Sequence, residues 1–362
     1  MKRIPSTSHS GRFPSLQTNS RRSLALGVAA VLALAACGSD GDTSADDEAA
    51  EAAAAGADEA VAPTTVGQPT PTEPPATDVA TTTNAPVTTV EVVPEPVVTL
   101  AFAGLPALGP DAVYEGWAII DAAPVSTGRF VVDEAGIVND EAGVPIDHFR
   151  VDATGAATFV LTIEPKVDPD PAPSSTHLLA GDIVDGTADL SISHPAALGT
   201  DFSTAAGSVE VAVPTARGLA GAETAGAWFF TNGGSSLTLP QLPAGWAYEG
   251  WIVFDGQPVT TGRFTDPNGA DNFNGFSGDG GSPATPGEDF IRNAPEGLQF
   301  PRSVGGTTAV ISVEPDPDDS TVPFALKPLV GEIPAGAARL SEHDLGLNLE
   351  GIPTGTVTVQ SI

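Results

Sequence analysis

Two seventeen-residue stretches, YEGWAIIDAAPVSTGRF at 114–130 and YEGWIVFDGQPVTTGRF at 248–264, each hold a glutamate and an arginine at the same spacing. Glu115 with Arg129, and Glu249 with Arg263, are candidates for binding a ligand or for pairing with each other across a hairpin. An exposed pair of that kind contributes a few tenths to about 1 kcal/mol. A second recurring group is Asp168-Pro-Asp170-Pro, matched by Asp316-Pro-Asp318-Asp319. Neighbouring carboxylates serve acid–base work or hold Ca²⁺ through hard oxygen ligands, but Asp and Pro together also build solvated turns. The segment TDPNGADNFNGFSGDGGSPATPGED, 265–289, is the richest in oxygen donors: Asp266, Asn268, Asp271, Asn274, Asp279 and Glu288. Its glycines would let it wrap a cation, yet it lacks the twelve-residue EF-hand spacing. Asp266, Asn268, Asp271 and Asp279 are the calcium candidates.

Other chemistry finds little support in the residues. The histidines are His9, His148, His177, His194 and His343, with no pair at helix or hairpin ligand spacing. The serines lie in Gly, Thr and Pro loops without a nucleophile-elbow pattern. No catalytic set is expected, and the chain reads as a non-enzyme.

Charge and cysteine narrow the partners. The chain has 362 residues, with 14 basic and 46 acidic side chains. Lys2, Arg3, Arg12, Arg21 and Arg22 all precede residue 37, where no acidic residue occurs, so the remainder is strongly anionic. An anionic surface has no cations with which to displace counterions from phosphates, which excludes nucleic acid. It also disfavours flat contact with anionic lipid. The sole cysteine, Cys37, rules out an internal disulfide framework or a cysteine-rich zinc site.

That cysteine closes the run SLALGVAAVLALAA, 23–36, which follows a basic segment. The run is short for a bilayer span, which needs roughly 20 apolar residues, and fits the core of a signal peptide. Leu34-Ala35-Ala36-Cys37-Gly38 resembles the lipobox of bacterial lipoproteins, which implies lipidation at Cys37, a cell-membrane anchor and an extracytoplasmic location. Ser20-Arg21-Arg22-Ser23-Leu24 resembles a twin-arginine export signal; an ordinary basic leader is the alternative.

Residues 37–96 are rich in Ala, Thr, Pro and acids, with no Lys or Arg. They have no apolar period and are expected to form a disordered tether. Beyond it, short β-branched runs such as TFVLTIEP and TTAVISVEP alternate with Gly, Pro and Asp clusters, a pattern of short strands and turns. The offset between the two copies grows from 134 residues at the hairpins to 150 at FVLTIEP and AVISVEP. The whole domain is therefore duplicated, with extra residues in the second copy. The expected organisation is a signal peptide (1–36), a tether (37–96), a β domain (97–218), a junction (219–235) and a second β domain (236–362). The fold class is all-β, two tandem Ig-like or β-sandwich domains.

Within each repeat the order is a Leu-Pro element, a Tyr-x-x-Trp strand, a Gly-x-Phe strand and a strand ending in Glu-Pro. The Leu-Pro elements are assigned to Leu105-Pro106 and Leu242-Pro243, and the Glu-Pro pairs are Glu164-Pro165 and Glu314-Pro315. This order resembles the extracytoplasmic C-terminal domain of the anti-sigma-K factor family. Members of that family also carry a cytoplasmic sigma-binding part and a transmembrane helix, neither of which is expected here. The resemblance implies a binding or envelope-sensing role toward an unknown protein or cell-envelope ligand. A calcium-dependent adhesive or substrate-binding surface module is the alternative.

Overall fold

Alternation of apolar and polar residues, broken by Gly, Asp and Pro, dictates strands and tight turns, and the computed structural model is built from these alone. The structure describes residues 94–362 other than 217, 233 and 319. The leader, Cys37 and nearly all of the tether lie outside the described residues. The first repeat contributes β1 (Pro96–Ala103), β2 (Ala112–Ile120), β3 (Ala123–Val132), β4 (Val138–Asn139), β5 (Thr158–Pro165), β6 (His177–Asp182), β7 (Thr187–Leu190) and β8 (Gly207–Val211). The second opens with β9 (Gly226–Trp228), β10 (Phe230–Thr231), β11 (Gly234–Ser235), β12 (Trp246–Phe254) and β13 (Gln257–Phe264). It ends with β14 (Gly287–Asp289), β15 (Thr307–Pro315), β16 (Leu329–Ile333), β17 (Glu342–Leu347) and β18 (Thr354–Ser361). All paired strands are antiparallel, and no helix occurs among the described residues.

The repeated sentence is a hairpin in both copies. β2 and β3 turn through Asp121 and Ala122, at φ 50° and 65°, while β12 and β13 turn through Asp255 and Gly256, at φ 50° and 85°. Two successive positive φ values make the two-residue turn whose twist suits a hairpin. Each hairpin carries a bulge at the same place. Gly116 faces Gly128, but Trp117 faces Ser126, leaving Thr127 as the extra residue. In the second copy Gly250 faces Gly262 and Trp251 faces Thr260, leaving Thr261. Gly128 and Gly262 adopt φ 126° and 115°, and a Cβ at either would strike Phe149 or Asp271. Both a special conformation and close approach therefore require glycine there.

The strand is buried on both faces, as one aromatic on each side demands. Tyr114 and Phe130 stack at 5.6 Å inside the core, as do Tyr248 and Phe264 at 5.7 Å. Trp117 packs on the opposite face with Val160, Ala180 and Ala197. A fully buried side chain of this size contributes roughly 1.5–3 kcal/mol. The Tyr114 hydroxyl donates to the Pro106 carbonyl (2.8 Å), and Tyr248 donates to Pro240 (2.6 Å). The structural counterpart of Leu105-Pro106 is therefore Leu239-Pro240. The assignment to Leu242-Pro243 is corrected: both contain Leu-Pro, and only the hydroxyl contact separates them.

The pairing of the closing strands crosses the repeat boundary. β18, the chain's last strand, lies between β1 and β7 of the first repeat. β8, the last strand of the first repeat, lies between β17 and β9 of the second. Two modules result. One comprises β1–β7 plus β18; the other is the continuous run β8–β17, inserted between β7 and β18. The division 97–218 and 236–362 marks the duplication in the sequence, and the strand pairing crosses it. The outer edges of β1 and β9 are covered in corresponding ways. Val98 exchanges backbone hydrogen bonds with Phe149 (2.9 and 2.8 Å), and β14 pairs with β9 in the corresponding position.

Candidate functional site

Arg129 and Arg263 stand directly opposite Glu115 and Glu249 across their hairpins. Each guanidinium reaches past its partner to the neighbouring Glu-Pro strand. Arg129 donates to the carbonyls of Pro165 (2.6 Å) and Lys166 (3.0 Å). Arg263 donates to Pro315 (2.6 Å) and Asp318 (3.1 Å). These carbonyls lie at or just beyond the ends of β5 and β15, past the pairing with β6 and β16, so the arginine satisfies acceptors that the next strand does not reach. The ion pairs differ between copies. Arg263 lies 3.8 Å from Glu249 and 3.2 Å from Asp316, whereas Arg129 lies 3.7 Å from Glu141. Glu115 instead accepts from Ser126 and Glu249 from Thr260.

A buried polar chain runs behind each hairpin. Trp117 Nε1 donates to Thr162 Oγ1 (2.9 Å), and Thr162 donates to Glu164, which also accepts the Ser174 N–H (2.9 Å). In the second copy Trp251 Nε1 donates to Ser312 (2.8 Å), Ser312 donates to Glu314, and Glu314 accepts the Phe324 N–H (2.9 Å). Glu164 and Glu314 are each 1 % exposed. Each carboxylate thus pins the start of the strand or loop ten residues on, closing the Asp-Pro turn between. The sequence signal was present: a polar residue two before Glu-Pro, in a strand otherwise apolar on both faces, requires a buried partner.

The 265–289 segment is held by one half-buried carboxylate, Asp271, and two buried ones, Glu288 and Asp289. Asp271 accepts the N–H groups of Phe273 and Gly287, both at 2.9 Å. Glu288 accepts from Ser277 and from the Asp289 N–H (2.9 Å). Asp289 accepts from Thr215 and from Trp228 Nε1 (2.7 Å). Asn272 exchanges hydrogen bonds with the Arg263 backbone, both at 3.0 Å, which caps the free edge of β13. Thr215, Trp228 and Asp289 were not singled out in the sequence; Trp228 lies in the stretch read as a junction.

The four calcium candidates do not converge. Asp266 folds an Asx turn with Asn268, Asp271 is committed to backbone donors, and Asp279 pairs with Arg292 at 2.8 Å. Asp266 and Asp271 do line one open cleft of about 320 Å³, but Arg263 lines it as well. Among the described residues no three His, Cys, Asp or Glu side chains are grouped to hold a metal.

Burial shifts the carboxyls of the second module upward. Desolvation pushes Glu249, Glu288 and Glu314 up to about 7, and Asp271 up to about 6. A carboxyl raised on folding stabilises the fold below its unfolded value, near 4, and that contribution is lost as pH rises through the folded value. Asp133, Asp152 and Asp201, in exposed turns that hydrogen-bond them, lie below the usual range, so their opposite effect falls outside the window. Melting temperature is therefore expected to fall between pH 5 and pH 8, by about 10 °C if each raised group contributes about 1 kcal/mol. Glu249→Gln should flatten that slope in a calorimetric pH series.

The fold and the site together define a duplicated all-β module whose recurring charged residues bond to their own backbone. Residues 25–177 match the family model described as anti-sigma-K factor rskA, C-terminal, the family that the repeated elements resemble. The matched segment ends at the first residue of β6, and the second repeat lies outside it. No curated protein and no solved structure matches the chain.

Proposed function

We propose that the chain is a non-enzymatic, lipid-anchored extracytoplasmic protein that presents its double β module for binding or envelope sensing. The observation that carries this reading is Cys37, the sole cysteine, standing where the apolar leader ends. The match to an anti-sigma-K C-terminal domain supports the anti-sigma-like character of the outer part. The segment between Cys37 and β1 sets the module away from the membrane, and the anionic surface disfavours its lying on anionic lipid. Its ligand is a protein or another component of the envelope.

Bacterial expression with detergent phase partition and fatty-acid labelling tests the anchor. The wild-type chain is expected in the detergent phase carrying label, and Cys37→Ser in the aqueous phase without it. A wild-type chain that stays aqueous and unlabelled would remove the basis of the proposal.

A further inference from the structure

We propose that β8 and β18 are interchangeable, and that the chain has a second closure in which each repeat is completed by its own last strand. The two strands carry the same residues at one alternating set of positions. Gly207, Val209 and Val211 in β8 correspond to Gly355, Val357 and Val359 in β18. Their registers coincide: Gly355 faces Leu190 of β7, and Gly207 faces Leu345 of β17. Each glycine also sits where a Cβ would press a core side chain, Leu237 or Phe102, at 2.6 Å. Neither slot distinguishes the two strands at these positions.

The connections allow the exchange. β8 follows β7 through residues 191–206, and β18 follows β17 through residues 348–353. Either segment suffices for an antiparallel return to the adjacent strand. Local return also closes a far shorter loop than joining β18 to β1 across the whole folded chain, so it is kinetically favoured.

Charge favours it as well. In the observed closure Glu210 stands directly opposite Glu342, a like-charge pair that Arg339 only partly offsets. The other flanking residue of Glu210 is Trp228 on β9, which is uncharged. In the second closure Glu210 would face Thr187, and Glu342 would face Thr358. The hydroxyl that Ser208 offers Glu342 (2.5 Å) would come from Thr356. The consequence is geometric. In the observed closure both ends meet on the first module, where Glu95 and Ile362 exchange hydrogen bonds at 2.9 and 3.0 Å. In the second closure the modules follow one another through a single connection.

Paired cysteines in the full chain carrying Cys37→Ser separate the two closures. Ser208→Cys with Asp344→Cys reports the observed pairing, and Ser208→Cys with Asp189→Cys reports the second. The first pair is expected to oxidise within the native chain. The second is expected to oxidise within one chain in a measurable fraction after denaturation and refolding. Adding Glu342→Gln should lower that fraction about two- to fivefold, the range for a cross-strand charge pair. Absence of the intrachain 189–208 disulfide both before and after refolding, or its formation only between two chains, overturns the proposal. A fraction unchanged by Glu342→Gln overturns the role given to the Glu210–Glu342 pair.

Discussion

Deletion of residues 354–362 is expected to abolish about half of the cooperative unfolding heat of the folded part. The chain has two slots for a closing strand and two strands to fill them. Without β18 only β8 remains. The loss is large because β18 is the central strand of its sheet, paired along all eight residues with β1 and over four with β7. Its removal exposes two edges and uncovers the core around Val357, which is 1 % exposed. A module of this size unfolds with an enthalpy on the order of 90 kcal/mol near 60 °C, so the loss is readable by calorimetry. Tryptophan fluorescence locates it. Trp117 lies in the first module, and Trp228, Trp246 and Trp251 lie in the second. If β8 keeps its observed place, the Trp117 environment is lost and the other three stay buried. If β8 returns to β7, the reverse holds. Unfolding heat equal to that of the whole chain would show that β18 closes nothing.

This arrangement also marks how far the sequence could be read. The strands, the hairpin turns at Asp121 and Asp255, the burial of Tyr and Trp on opposite faces and the glycine-dependent bulge all follow from residue type and local spacing. They were legible because each is decided within about twenty residues. The strand exchange was not legible, because Gly-x-Val-x-Val occurs in both β8 and β18 and fits either slot. A pattern that is repeated cannot state which copy it pairs with. The same degeneracy led to Leu242-Pro243, where a nearby Leu-Pro of identical type stood three residues away. For the candidate site, Glu115, Arg129, Glu249 and Arg263 were visible as a glutamate and an arginine that recur at one spacing in both copies. Their actual acceptors, carbonyls at the end of the Glu-Pro strand, depend on a neighbour more than thirty residues distant. No local pattern encodes that contact.

Asp289→Ala should cost the second module about 2–4 kcal/mol, and lower its melting temperature by about 10 °C. Asp289 is fully buried, and its carboxylate accepts the Thr215 N–H (2.8 Å), the Thr215 hydroxyl and Trp228 Nε1 (2.7 Å). Alanine leaves the amide and the indole N–H buried without acceptors, and each such orphan costs about 1–3 kcal/mol. Part of this is offset, because burial already disfavours the charged carboxylate and holds its pKa above the ordinary value. The Thr215 hydroxyl keeps the Gly278 N–H, which it accepts at 2.8 Å, and loses only its acceptor. Asp289→Asn should fall between, keeping one acceptor while directing an NH₂ at a donor. The comparison that gives the result its meaning is Asp279→Ala. Asp279 is almost fully exposed and pairs only with Arg292, so its loss should cost under about 1 kcal/mol. A large effect at 289 and a small one at 279, both unchanged by added calcium, would mean that the 265–289 segment is held from beneath by buried acceptors. The opposite ranking, with calcium raising the melting temperature of the wild-type chain, would make the segment a cation loop whose surface carboxylates do the holding.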